Sequence, residues 1–157
     1  MNIEQYKIEI QRTWQDDMSQ REQLCNATLG LVGEVGEFER DCVMTELGDV
    51  AYYTYTLARL LGHDIIEVKH SRRQMGQIAA SIAEGVKKLE FHSPGPSAQI
   101  QIMMDLSDDL DDMARAIRKR AICGVAGQDF WGEVLASNIA KLRARYPDGF
   151  VPGGGVR

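Results

Sequence analysis

Two short pairs of carboxylates carry the chemistry that this chain advertises. Glu34 and Glu37 stand in Gly33-Glu-Val-Gly-Glu37, and Glu46 and Asp49 stand in Glu46-Leu-Gly-Asp49. Each pair is spaced i,i+3, which puts both side chains on one face of a helix, a turn apart. Two such helices packed face to face would aim four carboxylates at one point. Buried together, they do not all stay ionised without a cation. A donor set made only of oxygen suits a hard ion, Mg²⁺ or Mn²⁺, better than zinc. Mg²⁺ keeps positions open for water and phosphate oxygens, so the matching substrate carries phosphates. The competing reading is a solvated acidic face, the usual fate of a charge cluster.

The spacing between the pairs imposes a condition. Glu37 and Glu46 are nine residues apart, which on one unbroken helix is about 900° of rotation and ~13.5 Å of rise. They would face opposite sides and share nothing. A metal site therefore requires a tight helical turn within residues 40–45, although no Gly or Pro marks one there.

The surrounding elements read as helices. Ile3, Tyr6, Ile10 and Trp14 recur at helical spacing and predict a first helix over 2–18. Leu24, Leu31, Val35 and Phe38 predict a second over 22–40, despite Gly30, Gly33 and Gly36. Such a row of small residues admits close approach of a neighbouring helix or a ligand. A third helix is expected over 45–61, with Gly62 suited to end it. Asp64-Ile-Ile-Glu67 reads as a capping box that starts a fourth, running to Phe91 before Ser93-Pro94-Gly95-Pro96 breaks it. A fifth is expected over 98–120, and a sixth from a cap at Asp129 to Arg145. The expectation is an all-α bundle of five or six helices forming one domain over 1–150, with 151–157 as a frayed tail.

Composition narrows the class. Apolar residues are 44 % of the chain, enough for a core. The longest apolar run falls short of the ~18 residues a membrane span needs, and Met1-Asn-Ile-Glu-Gln lacks a basic-then-apolar leader. Three cysteines without a CxxC disfavour a disulfide framework, so a cytoplasmic protein is expected. A net charge of −5 argues against a general nucleic-acid binder. The charge is uneven, net −7 over residues 1–70 and net +2 over 71–157. That split suits a metal–polyphosphate ligand, and equally two halves that attract each other.

The order of these motifs resembles the MazG-like nucleoside triphosphate pyrophosphohydrolases of the all-α NTP pyrophosphatase superfamily. Ala27-Thr-Leu-Gly-Leu-Val-Gly-Glu-Val-Gly-Glu37 is similar to the family's ExxE motif. Thr45-Glu-Leu-Gly-Asp-Val-Ala-Tyr-Tyr53 is similar to its ExxD motif, and Asn138-Ile-Ala-Lys-Leu-Arg-Ala-Arg-Tyr-Pro-Asp-Gly-Phe150 to its closing segment. The resemblance implies Mg²⁺-dependent cleavage of an NTP or dNTP between the α and β phosphates, releasing pyrophosphate and cleansing or regulating a nucleotide pool. It implies Glu34, Glu37, Glu46 and Asp49 as metal ligands, with one of the glutamates or a metal-bound hydroxide activating water. It further implies Lys141 and Arg145 as neutralisers of phosphate charge, and Asn138 as a contact to phosphate or sugar. Family sites are commonly built across packed subunits, so a homodimer is expected.

The chain departs from the family in its short spacer between the two metal motifs. The Lys-Lys and Phe-His that the family places there appear downstream, in Val86-Lys-Lys-Leu-Glu-Phe-His92. Met104-Asp-Leu-Ser-Asp-Asp-Leu110 then lines up with Thr45–Ala51, and Ala80 and Ala83 line up with Glu34 and Glu37. These matches suggest two degenerate repeats, about 22–73 and 74–146. The first keeps the carboxylates. The second keeps Lys87, Lys88, Asn138 and Lys141 as candidates for the substrate side.

Other residues have plainer competing roles. Trp14 and Tyr53 are candidates to stack on a base, though aromatic residues more often fill cores. Asp105, Asp108, Asp109, Asp111 and Asp112 read as a salt-bridged or solvated face, with Arg115, Arg118, Lys119 and Arg120 as partners. His63, His70 and His92 have no ligand-like partner, and His63 is expected at the surface. The rival functions are a dUTP-selective or phosphoribosyl-ATP pyrophosphohydrolase, and an inactive helical interaction module. A di-iron bundle is disfavoured because no Glu-x-x-His pair is present.

Overall fold

The computed structural model describes residues 1–66, 73–122 and 130–150. These residues form six helices and no strand: α1 (Ile3–Arg12), α2 (Gln20–Asp41), α3 (Met44–Leu60), α4 (Met75–Phe91), α5 (Pro96–Ile122) and α6 (Trp131–Arg145). The expected tail over 151–157 and the cap at Asp129 lie outside the described residues.

The helix ends follow from local chemistry. Asn2 and Gln5 form a reciprocal capping box for α1, and Ser19 and Glu22 form one for α2. Helix α1 stops at Arg12, six residues short of the expectation. The Thr13 hydroxyl turns back onto the Ile10 carbonyl, and Trp14 folds over to donate from its indole N–H to Gln23. Trp14 is buried in the connection rather than carried on the helix.

The required break between the carboxylate pairs is present. Helix α2 ends at Asp41, Cys42 takes the left-handed conformation (φ 54°, ψ 33°), and α3 begins at Met44. A non-glycine residue in that region is uncommon, which is why the local sequence did not mark the turn.

Helix α3 ends in a Schellman motif. Gly62, at φ 66°, donates to the Arg59 carbonyl, and His63 donates to that of Ala58. Residues 63–66 are not helical, so Asp64 does not start α4. That start belongs to Gln74, boxed with Gln77. Asp111 on α5 takes both the Ile66 N–H and the His63 ring, which leaves His63 partly buried rather than at the surface. Ser93 (φ 46°), Pro94 and Gly95 break the chain before α5, whose first residue, Pro96, gives up no needed N–H.

Two antiparallel hairpins, α2–α3 and α4–α5, lie side by side. Helix α2 packs on α4, and α3 on α5, while α1 and α6 close over α3. Helix α3 is thus the axis of the molecule, and 11 of its 17 residues are buried. Leu47, Val50 and Leu57 reach the core from it, against Leu31 and Val35 of α2 and Leu110, Met113 and Ile117 of α5. Burying one such side chain contributes about 1.5–3 kcal/mol. Asp49 is the buried charged side chain of this helix, so its burial needs compensation.

Candidate metal centre

The α2–α3 hairpin sets two helical stripes against each other. On α2 the stripe runs Asn26, Gly30, Glu34, Glu37, and on α3 it runs Glu46, Asp49, Tyr53. Because the helices are antiparallel, the carboxylates meet near the Cys42 turn. Glu34, Glu46 and Asp49 each offer an oxygen, and these oxygens lie within 4.8 Å of one another. Glu34 and Glu46 are half-buried and Asp49 is buried. Glu37 lines the same cavity but is not one of the three that converge.

The cavity measures about 350 Å³. Its acidic end holds the carboxylates together with Lys141 of α6, and Arg145 lines the same cavity. Its other end, a turn along α3, is aromatic and holds Trp14, Tyr52, Tyr53, Tyr146 and Phe150. Trp14 meets Tyr53 edge-on at 6.5 Å between centroids, and Tyr53 meets Tyr52 at 5.2 Å. Gly30 makes room for this wall. A Cβ built on it would lie 2.3 Å from the Tyr53 ring. Asn26 and Gln15 add amides to the lining.

Electrostatics mark the acidic end as short of positive charge. Burial, followed by the charges of Asp49, Glu37 and Glu46, pushes the Glu34 carboxyl up from 4.5 to about 7, with Lys141 opposing. Burial also raises Asp49, against the hydrogen bond and charge of Lys141. For Lys141, burial works against the ammonium, but the hydrogen bond to Asp49 and the charges of Asp49, Glu46 and Glu34 outweigh it and raise its pKa. Three carboxylates and one ammonium leave a site that a divalent cation would balance. The donors are all oxygen, which fits Mg²⁺ or Mn²⁺.

Asp49 is held at both of its oxygens. Asn138 Nδ2 donates to Asp49 Oδ1 at 2.8 Å, and Lys141 Nζ donates to Oδ2. Asn138 is only 3 % exposed and is not on the cavity wall. It supports the carboxylate instead of facing the space where a phosphate or sugar would sit. Tyr6, fully buried on α1, donates to Asn138 Oδ1 at 2.8 Å. The periodicity of α1 assigned Tyr6 to the core and gave no sign of this bond. Asn26 was legible in principle, because extending the Glu37–Glu34 stripe two turns back reaches it.

Lys87 and Lys88 are not brought to this cavity. Both lie on the outer face of α4 and pair with Glu84, at 3.1 and 3.7 Å. The aspartates of α5 are mostly paired. Arg73 bridges Asp109 and Asp112, at 2.6 Å to each, and Arg115 also reaches Asp112. A further cleft of about 390 Å³, between α1 and the end of α3, mixes Glu4, Lys7, Arg59 and Asp64 with no converging set. No described helix is long and apolar enough to cross a membrane.

Comparison with family models, with curated proteins and with solved structures finds no match to this chain.

Proposed function

We propose that the protein is a Mg²⁺-dependent nucleoside triphosphate pyrophosphohydrolase of the MazG-like type, which converts an NTP or dNTP to the monophosphate and pyrophosphate. The observation that carries this reading is the two-ended cavity. Three carboxylates from two separate motifs converge at one end, with Lys141 beside them, and an aromatic wall forms the other. A nucleotide is bipolar in the same way, with charged phosphates at one end and a flat base at the other.

Glu34, Glu46 and Asp49 would hold the cation, which supplies charge neutralisation for the polyphosphate and acidifies a water. Glu37, at the cavity wall outside the converging three, is the carboxylate left to accept the proton of the attacking water. Water adds to the α phosphorus, the bond from that phosphorus to the α–β bridging oxygen breaks, and pyrophosphate departs with that oxygen. Arg145 and Lys141, both on the cavity lining, would neutralise charge that grows on the phosphates. Trp14 and Tyr53 would hold the base by stacking. A homodimer and a role in cleansing the nucleotide pool belong to the same proposal, and a dUTP-selective or phosphoribosyl-ATP pyrophosphohydrolase is its rival within the superfamily.

The test is turnover of a panel of nucleoside triphosphates with pyrophosphate detection, with and without Mg²⁺. Glu37→Gln and Asp49→Asn should each abolish release while the protein stays folded. Absence of turnover on every triphosphate, together with no effect of Mg²⁺ or Mn²⁺ on thermal stability, would leave the inactive interaction module instead.

A further inference from the structure

Tyr6 has a buried hydroxyl with a polar task in an otherwise apolar setting. It stands on α1, is fully buried, and meets Tyr55 edge-on at 6.0 Å between ring centroids. Its oxygen lies 2.8 Å from Asn138 Oδ1 and 3.3 Å from the Gly48 carbonyl. Both neighbours are acceptors, so only a donor satisfies them, and the phenol has one hydrogen. The shorter contact takes it. Burial holds the Tyr6 pKa well above 10, with the Asp49 charge next in effect, so the donor hydrogen is kept.

The Asn138 amide has two orientations, and only one serves Asp49. Nδ2 must face the carboxylate and Oδ1 must face away, because the reverse sets two acceptors against each other. With Tyr6 in place, both amide ends are satisfied. Thr56 Oγ1 is the one buried side-chain polar atom without a partner among the described residues. Without the phenol, Oδ1 has no donor at a position closed to solvent, and a buried unsatisfied acceptor costs about 1–3 kcal/mol. The amide would then lose one of its two anchors and hold Asp49 Oδ1 less firmly.

We infer that Tyr6 is a positioning residue: its hydroxyl orients the Asn138 amide and, through it, fixes the Asp49 carboxylate for the cation. The step to the cation rests on the proposed reading of Asp49 as a ligand. The hold on Asn138 does not.

Tyr6→Phe in the full chain tests both parts, since it keeps the ring and removes only the hydroxyl. Two measurements separate them. The first is the NMR signal of the Asn138 side-chain amide, which should shift and exchange faster with solvent in Tyr6→Phe. An unmoved signal overturns the inference. The second is Mn²⁺ affinity by calorimetry, expected to fall about 10-fold, as for partners that orient metal ligands. In turnover, kcat should fall with it while KM for the nucleotide holds, which loss of general stability would not produce. Unchanged Mn²⁺ affinity beside a shifted amide overturns the role toward Asp49. A wild-type chain that binds no Mn²⁺ overturns the proposed function and the cation step, while the amide shift still assigns Tyr6 its hold on Asn138. If Tyr6→Phe does not fold, Asn138→Ala carries the test, with the same loss of Mn²⁺ affinity expected. Where both fold, the double variant should bind no more weakly than Asn138→Ala alone, because Tyr6 acts only through that amide.

Discussion

Gly48 and Asn138 occupy one space. A Cβ built on Gly48 would lie 2.9 Å from Cβ of Asn138 and 3.4 Å from its Nδ2 and from the Val134 carbonyl. The missing side chain lets α6 settle onto α3 and brings the Asn138 amide to Asp49. Gly48→Ala gains about 1 kcal/mol of helix propensity and loses about 1–3 kcal/mol to overpacking. The expected result is a small net loss of stability with a much larger loss of Mn²⁺ affinity. Denaturant unfolding and calorimetry on one preparation check this, and intact affinity would show that α6 shifts without disturbing Asp49.

Gly36 is the opposite case. A Cβ built there meets nothing within 4 Å, whereas one on Gly30 would strike the Tyr53 ring. Gly36→Ala should stabilise by about 0.5–1 kcal/mol, the ordinary gain inside an exposed helix. Gly30→Ala should destabilise and disturb the aromatic wall. Midpoints of urea unfolding give both signs. Destabilisation by Gly36→Ala, with a melting temperature that depends on protein concentration, would mean that a second copy covers this face.

The sequence carried the all-helical class, a count of five or six helices against the six among the described residues, and the carboxylate stripes, because these depend on spacing along one chain segment. The need for a turn after Arg40 also followed, since two stripes nine residues apart cannot otherwise face each other. Contacts between distant segments were less legible. Asn138 lies 89 residues from Asp49, and nothing in its own helix says that it stands behind the carboxylate rather than in the cavity. Lys87 and Lys88 looked like phosphate ligands by position in a repeat, but local pairing with Glu84 decides where they point. Asp64–Glu67 had the form of a helix cap. The Schellman motif at Gly62 and the pull of Asp111 on residues 63–66 overrode it.

Arg73, just ahead of α4, anchors a second buried carboxylate, Asp109 of α5. Asp109 is 6 % exposed, and one guanidinium spans it and Asp112. Arg73→Ala leaves a buried carboxylate without this partner, and removing one side of a buried pair costs about 3–5 kcal/mol. Arg73 is itself partly exposed, so about 2 kcal/mol is the expected loss here. Arg73→Lys should fall between, keeping the charge and losing the fork. Pairing Arg73→Ala with Asp109→Asn should recover part of the loss. A double variant no better than Arg73→Ala would mean that Asp109 is held mainly by other groups.

Glu34 predicts how stability depends on pH. Its carboxyl is raised in the folded protein from 4.5 to about 7, chiefly by burial and then by Asp49, Glu37 and Glu46. Asp49 is raised as well, from 3.8. Between these ordinary values and neutrality the folded state binds more protons than the unfolded chain. Stability therefore falls as pH rises through that window and levels off once Glu34 is ionised in both states. Without a divalent cation, the melting temperature should drop from about pH 5 to about pH 8. Mn²⁺ binds the ionised carboxylates of the folded state only, so its stabilising effect should grow over the same window and cancel the drop. Glu34→Gln removes the titrating group and should flatten the metal-free profile. Thermal melts across pH, with Mn²⁺ and with a chelator, measure all three. A metal-free profile that stays flat through that window would mean that Glu34 keeps an ordinary carboxylate pKa, and that the cluster is not short of positive charge.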